Sequence, residues 1–145
     1  MANLTPAQIT ALGTEITNDP KVLGYAGKTV AQRCALINAV GGSGEKINQG
    51  IVSAQFIMSQ IVETEMAALT STKLQELLVY VSAGMLDSGN TNVRTGLGNI
   101  FGVGTTSRTN LLAAVDRSAS RAEILFGSGA FVDTYEMGRA TGVPS

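Results

Sequence analysis

Histidine and tryptophan are absent from the 145 residues, and cysteine occurs once, as Cys34. Without imidazole, whose ordinary pKa suits proton transfer near neutrality, acid–base chemistry would fall to carboxylates, lysine or tyrosine, and soft metals would find few ligands. The composition points away from an enzyme and implies no cofactor and no metal. A lone cysteine makes no internal disulfide, so the fold needs no oxidising compartment. Charge is scarce too, at 14% of residues against about 25% in an average soluble domain. Either neutral polar side chains cover the surface or part of it meets other protein. No apolar run nears the roughly 20 residues that cross a bilayer. The amino terminus, with Asn3, Thr5 and no basic stretch, does not resemble a secretory signal. These features predict an aqueous compartment and no membrane partner. The net charge is −1. Arg33, Arg94, Arg108, Arg117, Arg121 and Arg139 are too dispersed to form a phosphate-neutralising stripe, which argues against nucleic acid as a partner.

What is present reads as a succession of capped helices in one domain spanning residues 1–145. Thr5, Pro6 and Gln8 form a capping box with proline at the first helical position, and Leu4 with Ile9 adds a hydrophobic staple. Ile9, Leu12 and Ile16 continue an apolar face until Asn18, Asp19 and Pro20 stop it. Thr29 and Gln32 repeat the box ahead of Val30, Cys34, Ile37 and Val40. Gly41, Gly42, Ser43 and Gly44 then open a stretch, 41–52, that reads as a flexible connection. Ser53 caps a third segment through Phe56, Ile57, Gln60 and Ile61, and Thr72 with Gln75 offers a box for a fourth through Leu74, Leu77, Leu78, Val81 and Met85, predicted to be central to the core. A fifth segment holds Val93, Leu97, Ile100 and Phe101, and a sixth carries Leu111, Val115, Ala119, Ala122 and Leu125 on one face. Asp133 with Glu136 is a last box before terminal residues Gly142 to Ser145, which should be mobile. The expected fold class is all-α: a compact bundle of about five to seven short helices with glycine-rich connections and mobile termini.

The apparent chemical motifs have plainer readings. Gly96, Gly98 and Gly102 are spaced GxGxxxG with no preceding strand, unlike a dinucleotide loop, and Gly41 to Lys46 lacks the hydroxyl residue that follows lysine in a Walker loop. Glu63 and Glu65 are two apart on a helical stretch and face different ways, a poor acid pair. Cys34 fits core packing. Arg117, Arg121 and Glu123 suit surface or intersubunit ion pairs. Phe126, Phe131 and Tyr135 flank a Gly-Ser-Gly break, so residues 127–145 read as a docking segment that could anchor on its own chain or on a neighbour.

The stretches NVRTGLGNIFGVGT at 92–105 and SRAEILFGSG at 120–129, with the opening LTPAQITALGTEITNDP at 4–20, resemble a group of small proteins encoded among the virion genes of tailed bacteriophages. The likeness leaves out residues 41–66. It implies a non-enzymatic component of the tail, neck or fibre-attachment region, assembled in the host cytoplasm, with other virion proteins and further copies of itself as partners. At the matched positions it suggests Asn92 as a helix cap, Val93 in packing and Arg94 as partner to an acid. The candidate interface residues are Arg94, Phe101, Arg117, Arg121, Phe126, Phe131 and Tyr135. A capsid decoration protein and a small cytoplasmic regulatory or host-interaction module are the alternative readings.

Overall fold

A computed structural model describes residues 4–143; Asn3, Pro144 and Ser145, invoked above, lie outside them. Among the described residues, nine helices and four short strands follow one another: α1 Pro6–Asn18, α2 Val30–Asn38, β1 Lys46–Asn48, β2 Ile51–Ser53, α3 Ala54–Met58, α4 Glu63–Ala67, α5 Ser71–Ser82, β3 Met85–Asp87, α6 Thr91–Ile100, α7 Thr106–Ala114, β4 Asp116–Ser118, α8 Arg121–Phe126 and α9 Thr134–Thr141. None of the helices is long and apolar enough to cross a membrane. The fold is mostly helical but mixed, which overturns the all-α expectation. Two two-stranded sheets form, β1 with β4 and β2 with β3. Strands of three residues are too short for a period-two alternation to stand out, so Met85 read as the last turn of a helix and Ile51 as connection. The stretch 41–52 is accordingly taken up by turns, β1 and most of β2.

The chain gathers into two compact units, each with its own apolar cluster, where the sequence suggested a single interior. Unit 1 takes residues through Ile47 and again from Ser118 onward; unit 2 is Asn48–Arg117.

Unit 1 packs α9 on α1 and α2, and α8 on α2. Local signals specify it closely. Thr5 and Thr29 accept from the backbone of Gln8 and Gln32, whose side chains bond back, completing both boxes. Ser120 with Glu123 and Asp133 with Glu136 do the same for α8 and α9. Proline at the first position of α1 and a left-handed Asp19 at its end fit the start and stop read from sequence. The Asp19 carboxylate then accepts from the backbone of Leu23 and Gly24, both at 2.7 Å, which shapes the turn delivering Tyr25 into the cluster. Leu12, Tyr25, Ile37, Ala122, Val132 and Met137 are fully enclosed there, and Cys34 is buried among them. The close approach of α1 to α9 depends on Gly13: a Cβ there would stand 2.8 Å from the backbone oxygen of Ala140.

Unit 2 packs α3 on α5, α5 on α6 and α6 on α7, beside the antiparallel β2–β3 ladder that pairs Val52 with Leu86. Ile57, Leu77, Leu97, Phe101, Leu111 and Val115 fill its cluster. The sequence read these elements less well. The third segment stops at Met58 and resumes as α4, and α5 is capped by Thr70, not Thr72. Asn90, not Asn92, caps α6 through bonds from the backbone of Asn92 and Val93. Of the α5 stripe, only Leu77 is buried. Gly96 lies under the Tyr80 ring, so close that a Cβ would overlap the phenol oxygen; packing of α5 on α6, and no phosphate loop, accounts for a glycine there.

Candidate functional site

The charged residues singled out in the sequence split between interior and rim. Arg121 opens α8 and is 9% exposed. Its Nε and Nη2 donate to the two carboxylate oxygens of Glu15 at 2.9 and 2.8 Å, and its Nη1 reaches both oxygens of Glu45 at 3.0 and 2.9 Å. Lys21 closes on Glu45 at 3.1 Å. Hydrogen bonding to Glu15 raises the Arg121 pKa above its ordinary value. Burial resists ionisation of Glu45, but the bonds from Arg121 and Lys21 outweigh it and leave that carboxyl below its usual range. Tyr25 belongs to the same unit with its hydroxyl buried and unpartnered, and burial together with the charge of Glu15 pushes its phenol pKa up. A guanidinium held by two carboxylates and a phenol that resists ionisation exchange no protons near neutrality. This cluster holds unit 1 together, and Arg121 is unavailable as the surface contact the sequence suggested.

The other acids of unit 1 also serve the backbone. Glu123 accepts from the N–H groups of Ser120 and Gly129, and the buried Glu136 accepts from Leu4 and Asp133. In unit 2, Arg94 grips Asp116 with two bonds of 2.8 and 3.0 Å, matching its expected partnership with an acid, and also donates to the Ser88 carbonyl. Phe101 is buried in the core and Arg117 is half-buried on β4. Glu65, read from sequence as half of a poor acid pair, accepts from the backbone of Thr106 at 2.9 Å and Ser107 at 2.7 Å, capping α7 from outside its own helix. The bonds from Ser107 lower the Glu65 pKa, and the Ser107 hydroxyl in turn accepts from the Val62 backbone at 2.9 Å, where α4 has no side-chain cap of its own.

Of the candidate interface residues in unit 1, those facing outward lie on or just before α9. Tyr135 and Phe131 are each 63% exposed, and the Arg139 guanidinium lies 5.7 Å from the centre of the Tyr135 ring. Phe126, by contrast, packs against the unit 1 cluster. Arg139 also borders a groove of about 440 Å³ along α1, walled by Thr10, Gly13, Thr14 and Thr17. Those three threonines donate their hydroxyl protons to the carbonyls of Pro6, Thr10 and Gly13, so they offer the groove oxygen acceptors only. An exposed aromatic pair beside an arginine and a polar groove has the composition of a protein-docking surface. Among the described residues, no group of three His, Cys, Asp or Glu is placed to hold a metal.

The Glu15–Arg121–Glu45 cluster escaped the sequence reading because its members are up to 106 residues apart. One local signal was there: Glu15 lies three residues after Leu12, on the apolar side of α1. Compared with family models, curated proteins and solved structures, the chain matches none.

Proposed function

We propose that this chain is a non-enzymatic structural protein of a bacteriophage particle, a tail, neck or fibre-attachment component that works through protein–protein contacts. The phage assignment rests on the resemblance carried by residues 4–20, 92–105 and 120–129. The contact role rests chiefly on one observation, the exposed Tyr135 and Arg139 of α9 with the exposed Phe131 in the segment leading into it, carried by a unit whose interior charges are all engaged with one another or with backbone. Aromatic and arginine side chains held on a firm support lose little entropy on docking and are the residue types that anchor interfaces.

Mass spectrometry of purified particles from a phage encoding the chain tests this reading. The chain should be present at low copy number relative to the major capsid protein. A Phe131→Ala/Tyr135→Ala/Arg139→Ala variant should fold normally yet be lost from particles. Particles that assemble without the chain would overturn the proposal, and a copy number matching the capsid shell would favour decoration.

A further inference from the structure

We propose that the outward face of α5, continued over β2–β3, is the surface through which two copies of this chain pair; the inference rests on the assembly role above and names one of its partners. On α5, Leu77 turns into the core while Leu74, Leu78 and Val79 are 39%, 56% and 68% exposed. At about 100° per residue these three share one sector with Gln75 and Ser82. Lys73 and Glu76 bond each other at 2.9 Å on the flank, so the sector itself carries no charge. Gly84, in the left-handed region at φ 75°, turns the chain directly into β3. There Met85 is exposed, and Ile51 on β2 is exposed on the same side of the ladder, because their neighbours Val52 and Leu86 pair with each other facing the core. Phe56 on α3, which packs on α5, adds a partly exposed ring.

Summed over α5, α3 and the ladder, with α3 packed on both α5 and β2, these six side chains leave on the order of 600 Å² of apolar surface in water, as much as the largest patch on a typical monomer. With Gln75 and Ser82 inside the sector and Asp87 opposite Ile51 on the ladder, the face approaches the ~800 Å² that each partner buries in a standard stable interface. An uncharged centre gives a nucleic acid or a strongly charged protein nothing to hold. Its complement is another apolar, uncharged face, and every copy of the chain brings one. A twofold axis across α5 would lay the two uncharged helix sectors against each other, each copy bringing the same surface.

Sedimentation velocity on the full chain, from low to high micromolar concentration, should show a monomer–dimer equilibrium. The Leu78→Glu/Val79→Glu variant, which alters only exposed positions, should weaken it by at least roughly 100-fold with an unchanged circular dichroism spectrum. In a Cys34→Ala background, Leu78→Cys should be captured as a dimer by a short bis-maleimide, and Tyr135→Cys should not. A chain that stays monomeric throughout, a dimer indifferent to the double variant, or crosslinking at Tyr135 in place of Leu78 would overturn the inference. Absence from phage particles alongside an α5-dependent dimer would count against the assembly role and leave the pairing face standing.

Discussion

The two units solve the same folding problem with different means. Unit 1 starts four helices with reciprocal capping boxes and ties distant segments with a buried guanidinium between carboxylates, whereas the five helices of unit 2 have no capping box among them. Unit 2 borrows instead: Glu65 caps α7, Ser107 supports the start of α4, and several of its large apolar side chains remain in water. One unit has buried charges that are all engaged; the other has an apolar exterior that is not. The contrast suggests a division of labour, with unit 1 as a firm mount for the α9 face and unit 2 as the part completed by another chain.

The sharpest way to break the comparison is to remove the central cation of unit 1. Arg121→Met leaves Glu15 buried with an unpaired charge, a loss of about 3–5 kcal/mol, measurable by urea unfolding. The parallel change in unit 2, Arg94→Met, removes a pair about a third exposed and should cost less, about 1 kcal/mol. Equal losses would erase the distinction.

Glycine substitutions come next. Gly13→Ala drives a Cβ against the Ala140 backbone oxygen, and overpacking of this kind costs about 1–3 kcal/mol, partly offset by the ~1 kcal/mol helix-propensity gain of alanine. Gly96→Ala meets the Tyr80 side chain instead, so Tyr80→Ala should rescue Gly96→Ala in thermal melts. No side-chain change should rescue Gly13→Ala.

Acid and alkali should act on named groups. Glu45 has a lowered pKa in the folded chain, so the stability it lends is complete above the ordinary glutamate value of about 4.3 and is lost as pH falls through the lowered one. Tyr25 has a raised pKa, so its contribution is intact below about 10 and is lost as pH climbs beyond. Tyr25→Phe deletes a buried hydroxyl that bonds to nothing. It should leave neutral-pH stability unchanged or raise it by up to about 1 kcal/mol, and should remove the alkaline loss, as followed by phenol absorbance and circular dichroism. The smallest effect is at Glu65, where Glu65→Gln should flatten the acid sensitivity of amide protection at Thr106 and Ser107.

Legibility from sequence followed the same divide. Thr5, Thr29 and Asp133 announce their helices because cap and partner sit three residues apart, and all three belong to unit 1; Ser120 with Glu123 has the same spacing but lay inside the single helical face read through Leu111 to Leu125, which β4 interrupts. In unit 2 the competing hydroxyls Thr70 and Thr72 differ only in which one tertiary packing selects, and β2 and β3 are too brief to show a period. Leu74 and Leu78 fit a helical stripe as well as Leu77 does, yet the stripe turns outward, since periodicity identifies a face without saying what covers it. Of the candidate interface residues, Phe131 and Tyr135 reach the surface, while Val132 beside them turns into the cluster. Phe101 and Arg121 do not, because their partners come from remote segments that no local pattern reveals.

Hydrogen exchange of the full chain at rising protein concentration tests the division of labour most directly. Protection should grow along α5 and β2–β3 while α1, α8 and α9 stay unchanged. Protection independent of concentration in unit 2, or growing on α9 instead, would contradict it.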